Sequence, residues 1–361
     1  MSTSPTTITD VARVAGVSKA AVSFALNNRP GVAAETRKRI LAVARDLGWT
    51  PSLRGRALSV SRALAVGLVI ARTPETLGAD PFFGAFISGI ETILSERGYA
   101  LTLQVVNDEH SEHEGYRQLA ATGRVDGVFL TDMRVDDLRP QLLDDLGLPT
   151  VVVGPAPGSG RSFVYIDDQP GIVAAVEHLV ALGHRSIGHV AGPAEFVHSV
   201  SRRTAWASAV ADAGLPPGPC ITADFSAQGG ANATTALLGL DEPPTAIVYA
   251  NDLMAIAGMS TAISRGIEVP GRLSVTGFDD APLSEYIQPA LTTVRTDVVG
   301  WGRAAARQLL AVIDQEPGSQ IDLPAPEFVI RASTAPPCHP GTGTPSRDRR
   351  RSAPILHRTE S

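Results

Sequence analysis

The run Ile8 to Leu26, ITDVARVAGVSKAAVSFAL, constrains this chain more than any other stretch. Ile8, Val11, Ala12 and Ala15 recur at helical spacing and make one apolar stripe. Thr7, answered three residues later by Asp10, has the spacing of a capping box. Gly16 ends this helix, because glycine takes the left-handed conformation of a sharp turn without steric cost. Val17 plugs the corner, and Ser18 caps a second helix with Ala21, Val22, Ala25 and Leu26 as its apolar residues. Two short helices around a tight glycine turn form a helix-turn-helix, whose second helix lies in the DNA major groove. The spacing alone fits a plain helical hairpin equally well. Asn27-Asn28-Arg29-Pro30-Gly31 follows as a loop by composition, and Ala34 to Leu47 reads as a third helix ended by Gly48.

Charge separates the two explanations. The whole chain carries a net charge of -6, but residues 1–62 balance at +7, residues 63–335 at -16 and residues 336–361 at +3. A basic N-terminal module on an acidic body describes a DNA-binding head carried by something that does not itself bind DNA. Its cations supply phosphate contacts and a salt-dependent affinity.

The head resembles the DNA-binding headpiece of the lac repressor family of bacterial transcription factors. The matching residues are Thr9-Asp10-Val11-Ala12, Ala15-Gly16-Val17-Ser18, Val22-Ser23, Leu26-Asn27, Arg37, Ile40, Ala44, Leu47-Gly48 and Pro51. Residues 1–6, polar and rich in Ser and Thr, are expected to be a disordered start, and the resemblance implies that 7–51 are the helix-turn-helix domain and 52–62 a hinge. In the family, such a hinge folds into a short helix only on the operator, where a leucine from each subunit pries the minor groove open. Leu58 matches that leucine, with Arg54 and Arg56 placed to meet phosphates. Gly55 weakens this helix, which suits conditional folding.

Beyond Arg62, short apolar runs alternate with amphipathic segments. Strands are expected at 65–71, 101–106, 127–130 and 150–153, then at 186–191, 220–223, 246–250 and 273–278. Helices are expected at 82–97, 112–122, 137–146, 171–182, 202–213, 228–240 and 252–265. Such alternation means parallel sheets covered on both faces, here two α/β subdomains. Ligands of such sheets bind outside the carboxyl ends of the strands, so two facing subdomains would enclose a cleft.

This body resembles the periplasmic sugar-binding-protein fold that forms the family's effector domain. The resemblance is carried by Pro81-Phe82-Phe83, Gly89-Ile90-Glu91, Val125-Asp126-Gly127-Val128, Glu177-His178-Leu179, Leu182-Gly183-His184, Ala250-Asn251-Asp252, Gly277-Phe278-Asp279-Asp280 and Leu291-Thr292-Thr293-Val294. It implies a ligand-binding and dimerisation domain over 63–335, with subdomains of about 63–163 plus 293–320 and 164–292 plus 321–335. Residues 336–361, rich in Pro, Gly, Ser and Arg, are expected to be a disordered tail.

In the recognition helix, the resemblance implies base reading by Lys19, Ala20 and Phe24, after the capping Ser18. Lys19 suits guanine O6 or N7. Phe24 replaces the usual Arg, so it either touches a thymine methyl or packs inward, and a standard operator is not assigned. Thr9, Ser23, Asn27 and Arg37 are candidates for phosphate contacts, which position without specifying. In the cleft, Arg202 falls four residues before Trp206, where the family's ligand-binding arginine stands. Asn251 and Asp279 match positions that bond ligand hydroxyls, Phe225 an aromatic that packs on the ligand, and Phe82 and Phe83 line the other subdomain's mouth. An Arg, an Asn and an Asp from different strand ends suit a polyhydroxylated ligand. Gly154 stands where sugar-responsive members often carry a carboxylate or amide, so an ordinary hexose is not assumed.

The expected protein is therefore a homodimeric, cytoplasmic transcriptional regulator, a repressor, that binds double-stranded operator DNA under control of a sugar, polyol or nucleobase. No cofactor, metal or membrane partner is expected, and no enzyme activity. The eight histidines lack metal spacing, and GxSxG, P-loop and strand-linked GxGxxG motifs are missing. With 43% hydrophobic residues and a mean hydropathy of +0.07, the chain reads as soluble, without a signal peptide or a spanning segment. Only Cys220 and Cys338 occur, so no structural disulfide is expected. The competing class is a sugar-binding protein or enzyme whose helical head binds DNA weakly or without specificity.

Overall fold

The computed structural model describes residues 6–26, 30–49, 62–156, 159–317 and 319–338. Its elements run α1 (Ile8–Ala15), α2 (Lys19–Leu26), α3 (Ala34–Asp46), β1 (Ala65–Ala71), α4 (Pro74–Ala79), α5 (Pro81–Arg97), β2 (Ala100–Val106), α6 (Glu109–Ala121), β3 (Val128–Leu130), α7 (Arg139–Asp145), β4 (Thr150–Val153) and β5 (Ser162–Tyr165). There follow α8 (Gln169–Ala181), β6 (Ile187–Ala191), α9 (Val197–Asp212), β7 (Cys220–Thr222), α10 (Ala227–Leu238), β8 (Ala246–Tyr249), α11 (Asp252–Ser264), β9 (Ser274–Thr276), β10 (Thr293–Arg295), α12 (Val298–Ile313), β11 (Gln320–Asp322) and β12 (Glu327–Val329). A short 3-10 turn, Pro282–Glu285, lies between β9 and β10.

Packing divides the described chain into two units. The first runs to Asp167 and reclaims Phe196–His198 and Asp297–Pro324; the second holds Asp168–Glu195, Ser199–Thr296 and the residues from Ala325. Within the first unit the head has its own core of Val11, Ala12, Ala15, Val22, Ala25, Ile40 and Ala44. The rest of that unit is a six-stranded parallel sheet in the order β11-β5-β4-β3-β1-β2. Strand β1, AVGLVIA, is buried on both faces, as a central parallel strand must be. Over one face, α5 and α12 touch backbone to backbone. A Cβ on Gly89 would stand 2.2 Å from the Val299 carbonyl oxygen, and one on Gly302 would stand 2.2 Å from that of Phe86. Glycine permits the approach, and Phe86, Ile90, Leu94, Ala305 and Leu309 seal the core around it.

The second unit is a four-stranded parallel sheet, β7-β6-β8-β9, with an antiparallel pair, β10-β12, beside it. Ile172, Val176, Trp206, Val248 and Phe278 fill its core. Every strand read from the sequence is present within a few residues. Sequence reading misses β5, β10, β11, β12, the short α4 and the long α12. The unit boundaries also move. Strand β5 hydrogen-bonds to β4, so Val164 and Tyr165 belong to the first sheet rather than to a second subdomain starting at 164. Strand β11 pairs with β5 and keeps Gln320–Asp322 in the first unit. Strand β10 pairs with β12, so Thr293–Arg295 stay in the second, not in the expected 293–320 segment of the first. No described helix is long and apolar enough to cross a membrane.

Candidate functional site

The head is built by local hydrogen bonds. The Thr7 N–H and hydroxyl both donate to Asp10 Oδ2, at 3.0 and 2.7 Å. These bonds hold the Asp10 carboxyl below its usual range. Gly16 takes φ +65°, and the next N–H, that of Val17, returns to the Ala12 carbonyl at 3.0 Å. The Ala21 N–H donates to Ser18 Oγ at 3.1 Å, which starts α2. Val22 and Ala25 point into the core, so Ser18, Lys19 and Ala20 are left exposed. Phe24 is 38% exposed and leans on Gly31, whose Cβ position lies 3.5 Å from its ring. It therefore takes neither extreme of the expected pair, since its ring edge stays at the surface. Thr9 is exposed, and Ser23 and Arg37 are half-buried. Asn27, Arg54, Arg56 and Leu58 lie outside the described residues.

The strands of the second sheet are parallel, so their carboxyl ends share one edge, and the loops that follow them bring the other candidates together. Arg202, on α9, is central. Its Nε–H donates to Asp168 Oδ2 at 2.8 Å, and Nη1 donates to the Ala250 carbonyl at 2.6 Å. Its guanidinium lies over the Phe278 ring, 3.7 Å from the centroid. Phe225 follows β7 with φ +66°, a costly conformation for a bulky residue. Asn251 holds it there: Nδ2 donates to the Phe225 carbonyl at 3.1 Å, while Oδ1 accepts the Met254 N–H at 2.9 Å and caps α11. Gly192 makes room for the ring, because a Cβ there would stand 2.1 Å from Phe225 Cζ. Asp279 takes φ +112°, and Asp280 accepts bonds from Arg295 and Arg331 at 2.6 Å each.

Asp252, beside Asn251, ties the same edge from below. Its carboxylate accepts from the Ala281 N–H, the Ser284 hydroxyl and the Thr293 hydroxyl. Burial pushes its pKa up to about 6, against the pull of those donors. His189 is buried on β6, donates Nδ1–H to the Val248 carbonyl at 2.8 Å and stacks on Trp206. Burial lowers its pKa to about 4.

Two sequence expectations change here. Asn251 is 4% exposed with both ends of its amide engaged in the fold, so it positions Phe225 rather than presenting a hydroxyl partner. Phe83 is 4% exposed and packs edge-on against Phe82 inside the first unit's core, so it lines no mouth. Phe82 is half-buried and packs on Phe86 and Trp301. Arg202, Phe225 and Asp279 do meet at one strand edge. Asp168, Phe278 and Gly192 are absent from the sequence-based candidates. Asp168 precedes a Gln-Pro helix start and reads as a cap, and only the fold turns it onto Arg202. In the first unit, Arg72 and Asp132 pair at 3.0 Å at the carboxyl ends of β1 and β3, and the guanidinium covers the Phe196 ring at 4.2 Å. Burial raises the Asp132 pKa, but Arg72, His198 and Arg139 together outweigh it and leave the carboxyl below its usual value. No cluster of metal-ligating side chains occurs among the described residues.

A helix-turn-helix head and a parallel α/β body with a polar strand edge, in one chain, define a ligand-responsive DNA-binding transcriptional regulator. The chain matches the family described as "Bacterial regulatory proteins, lacI family" over residues 7–52 and the "Periplasmic binding protein-like domain" over 176–334. It belongs to the lacI family, whose members are regulators of transcription rather than enzymes. The HTH-type transcriptional regulator CelR of Thermobifida fusca is 32% identical over 315 residues, which cover 86% of this chain and 92% of that protein. A solved complex of CelR with cellobiose superposes with a TM-score of 0.70 at 31% identity, over 91% of this chain and 99% of the other. The lac repressor dimer bound to operator and the anti-inducer ONPF gives a TM-score of 0.80 at 25% identity, over 92% and 100%.

Proposed function

We propose that this chain is a cytoplasmic, homodimeric repressor that releases or grips a pseudo-palindromic operator according to a sugar-like effector. Two heads on a two-fold axis match two operator half-sites. Lys19, Ala20 and Phe24 face base edges, Thr9, Ser18, Ser23 and Arg37 meet the backbone, and Asn27, Arg54, Arg56 and Leu58 extend the contact toward the hinge. Arg202, Phe225 and Asp279 bind the effector, and Asn251 holds Phe225 in place. The observation that carries the effector reading is Arg202. It is clamped by Asp168 and the Ala250 carbonyl, with Nη2 unpartnered among the described residues. That is a preorganised donor for an oxygen-rich ligand. The CelR–cellobiose complex supports a sugar. The effector changes operator affinity only through its different affinities for the two states of the protein.

The test is a gel shift on the DNA upstream of the protein's own gene, run with a panel of sugars, polyols and nucleobases. A specific shift that one compound weakens or strengthens is the expected result. A specific shift that nothing alters overturns the effector reading, and loss of any preference over bulk DNA overturns the operator reading. The chain's two lysines, Lys19 and Lys38, both lie in the head and are exposed. Amine-reactive labelling therefore reports on the head alone apart from the N-terminus, and operator DNA is expected to protect Lys19.

A further inference from the structure

We propose that Asp168 is a charge filter: by neutralising Arg202, it makes the effector edge select uncharged polyhydroxylated ligands and reject anionic ones such as sugar phosphates. The inference rests on reading the strand edge of the second unit as the effector site.

A guanidinium has five N–H donors and one positive charge. In Arg202, the Nε–H is taken by Asp168 and one Nη1–H by the Ala250 carbonyl. Three N–H groups remain without an acceptor among the described residues, and the Phe278 ring fixes their plane. The charge, in contrast, is already met. The side chains of Arg202 and Asp168 are 11% and 10% exposed, so water screens the pair weakly. What Arg202 offers is therefore a rigid fork of donors with its charge compensated. Hydroxyl and ring oxygens fit such a fork. A phosphate, carrying more than one negative charge near neutral pH, would compete with Asp168 and meet the nearby carboxylates of the same edge. Arg295 and Arg331 do not relieve it. Arg295 is paired with Asp280 and Glu327, and Arg331 with Asp280.

The test is calorimetric titration of the full chain with cellobiose, maltose and ribose, and with cellobiose 6′-phosphate, maltose 6′-phosphate and ribose 5-phosphate. The wild type is expected to bind a neutral sugar at least 100-fold more tightly than its phosphate. Asp168→Asn, which keeps the shape and removes the charge, is expected to narrow that ratio at least tenfold. Phosphate binding by the variant should weaken with added salt. Asp168→Ser is the second variant, and circular dichroism with thermal unfolding establishes that each is folded. If Asp168 only supported the fold, both affinities would fall together and the ratio would stand. An unchanged ratio in a folded variant, or a wild type that prefers the phosphate, overturns the filter and leaves the effector site in place. A wild type that binds none of the probes overturns the reading of the site, and the filter with it.

Discussion

In the head, Ser18, Lys19 and Ala20 stand exposed on α2, and every buried side chain beneath them is apolar. At the strand edge of the second unit, Arg202, Asp168 and Asn251 are nearly enclosed and bonded to one another or to backbone carbonyls. The difference follows from the size of the partner. DNA brings a continuous rail of phosphates, so contacts can be made by side chains that stay hydrated until they bind. A small ligand brings few atoms, and its polar groups must be met by donors ordered in advance. The head therefore carries function on a stable frame, whereas at the strand edge function and frame are the same residues.

The most disruptive way to test this contrast is Arg202→Ala. It removes the cation that is bonded to the buried Asp168 carboxylate, at a cost of about 3 kcal/mol to the second unit, and removes the effector response. Thermal unfolding and effector-dependent gel shifts read the two effects. Equal damage from Lys19→Ala would erase the distinction. Next is Gly192→Ala, whose added methyl stands 2.1 Å from Phe225 Cζ and 2.6 Å from Ser199 Oγ. Overpacking of this kind costs about 1–3 kcal/mol, and the effector affinity is expected to fall with it. In the head, Lys19→Ala is expected to cost about 1–3 kcal/mol of specific binding without loss of stability. Arg37→Ala is expected to weaken all DNA sequences alike and to lower the salt slope by about 1. Binding titrations at several salt concentrations separate the two.

The smallest expected effect is a pair of opposed pH slopes. Asp252 has a folded pKa of about 6, above its unfolded value near 4. Between these values the folded state holds a proton that the unfolded chain has lost, so this group's contribution to stability falls as pH rises. His189 has a folded pKa of about 4, below its unfolded value near 6.5. Across that window the unfolded chain holds the extra proton, so stability rises with pH. The wild type sums the two. Asp252→Asn is expected to uncover the rising slope in chemical denaturation between pH 4 and 6. An unchanged profile would mean that Asp252 is ionised throughout.

The head was almost wholly legible because its determinants are local. The Thr7–Asp10 contact, the Gly16 turn and the Ser18 cap each join residues no more than five positions apart. The long central strands were legible for the same reason, each being one apolar run. The short strands β5, β11 and β12 were not, since β11 is an edge strand, half-exposed, and is made a strand only by a distant partner. The candidate site divides in the same way. The family resemblance pointed to Arg202, Phe225 and Asp279. It could not show that Asn251 is spent on Phe225, or that Asp168 faces Arg202 rather than capping α8, because those are facts about neighbours distant in sequence.

The contact of α5 with α12 also sets an order of events at the ribosome. The head finds its core within its own first residues, Val11 to Ala44. Helix α5 is made early in synthesis but waits for Gly302, Ala305 and Leu309, which emerge near the end. Until then its apolar face, with Phe86, Ile90 and Leu94, has nothing to lie against. A message broken before the codon for Val298 would therefore yield a finished head on an unfinished body, and that bare face would mark the fragment for chaperones and proteases.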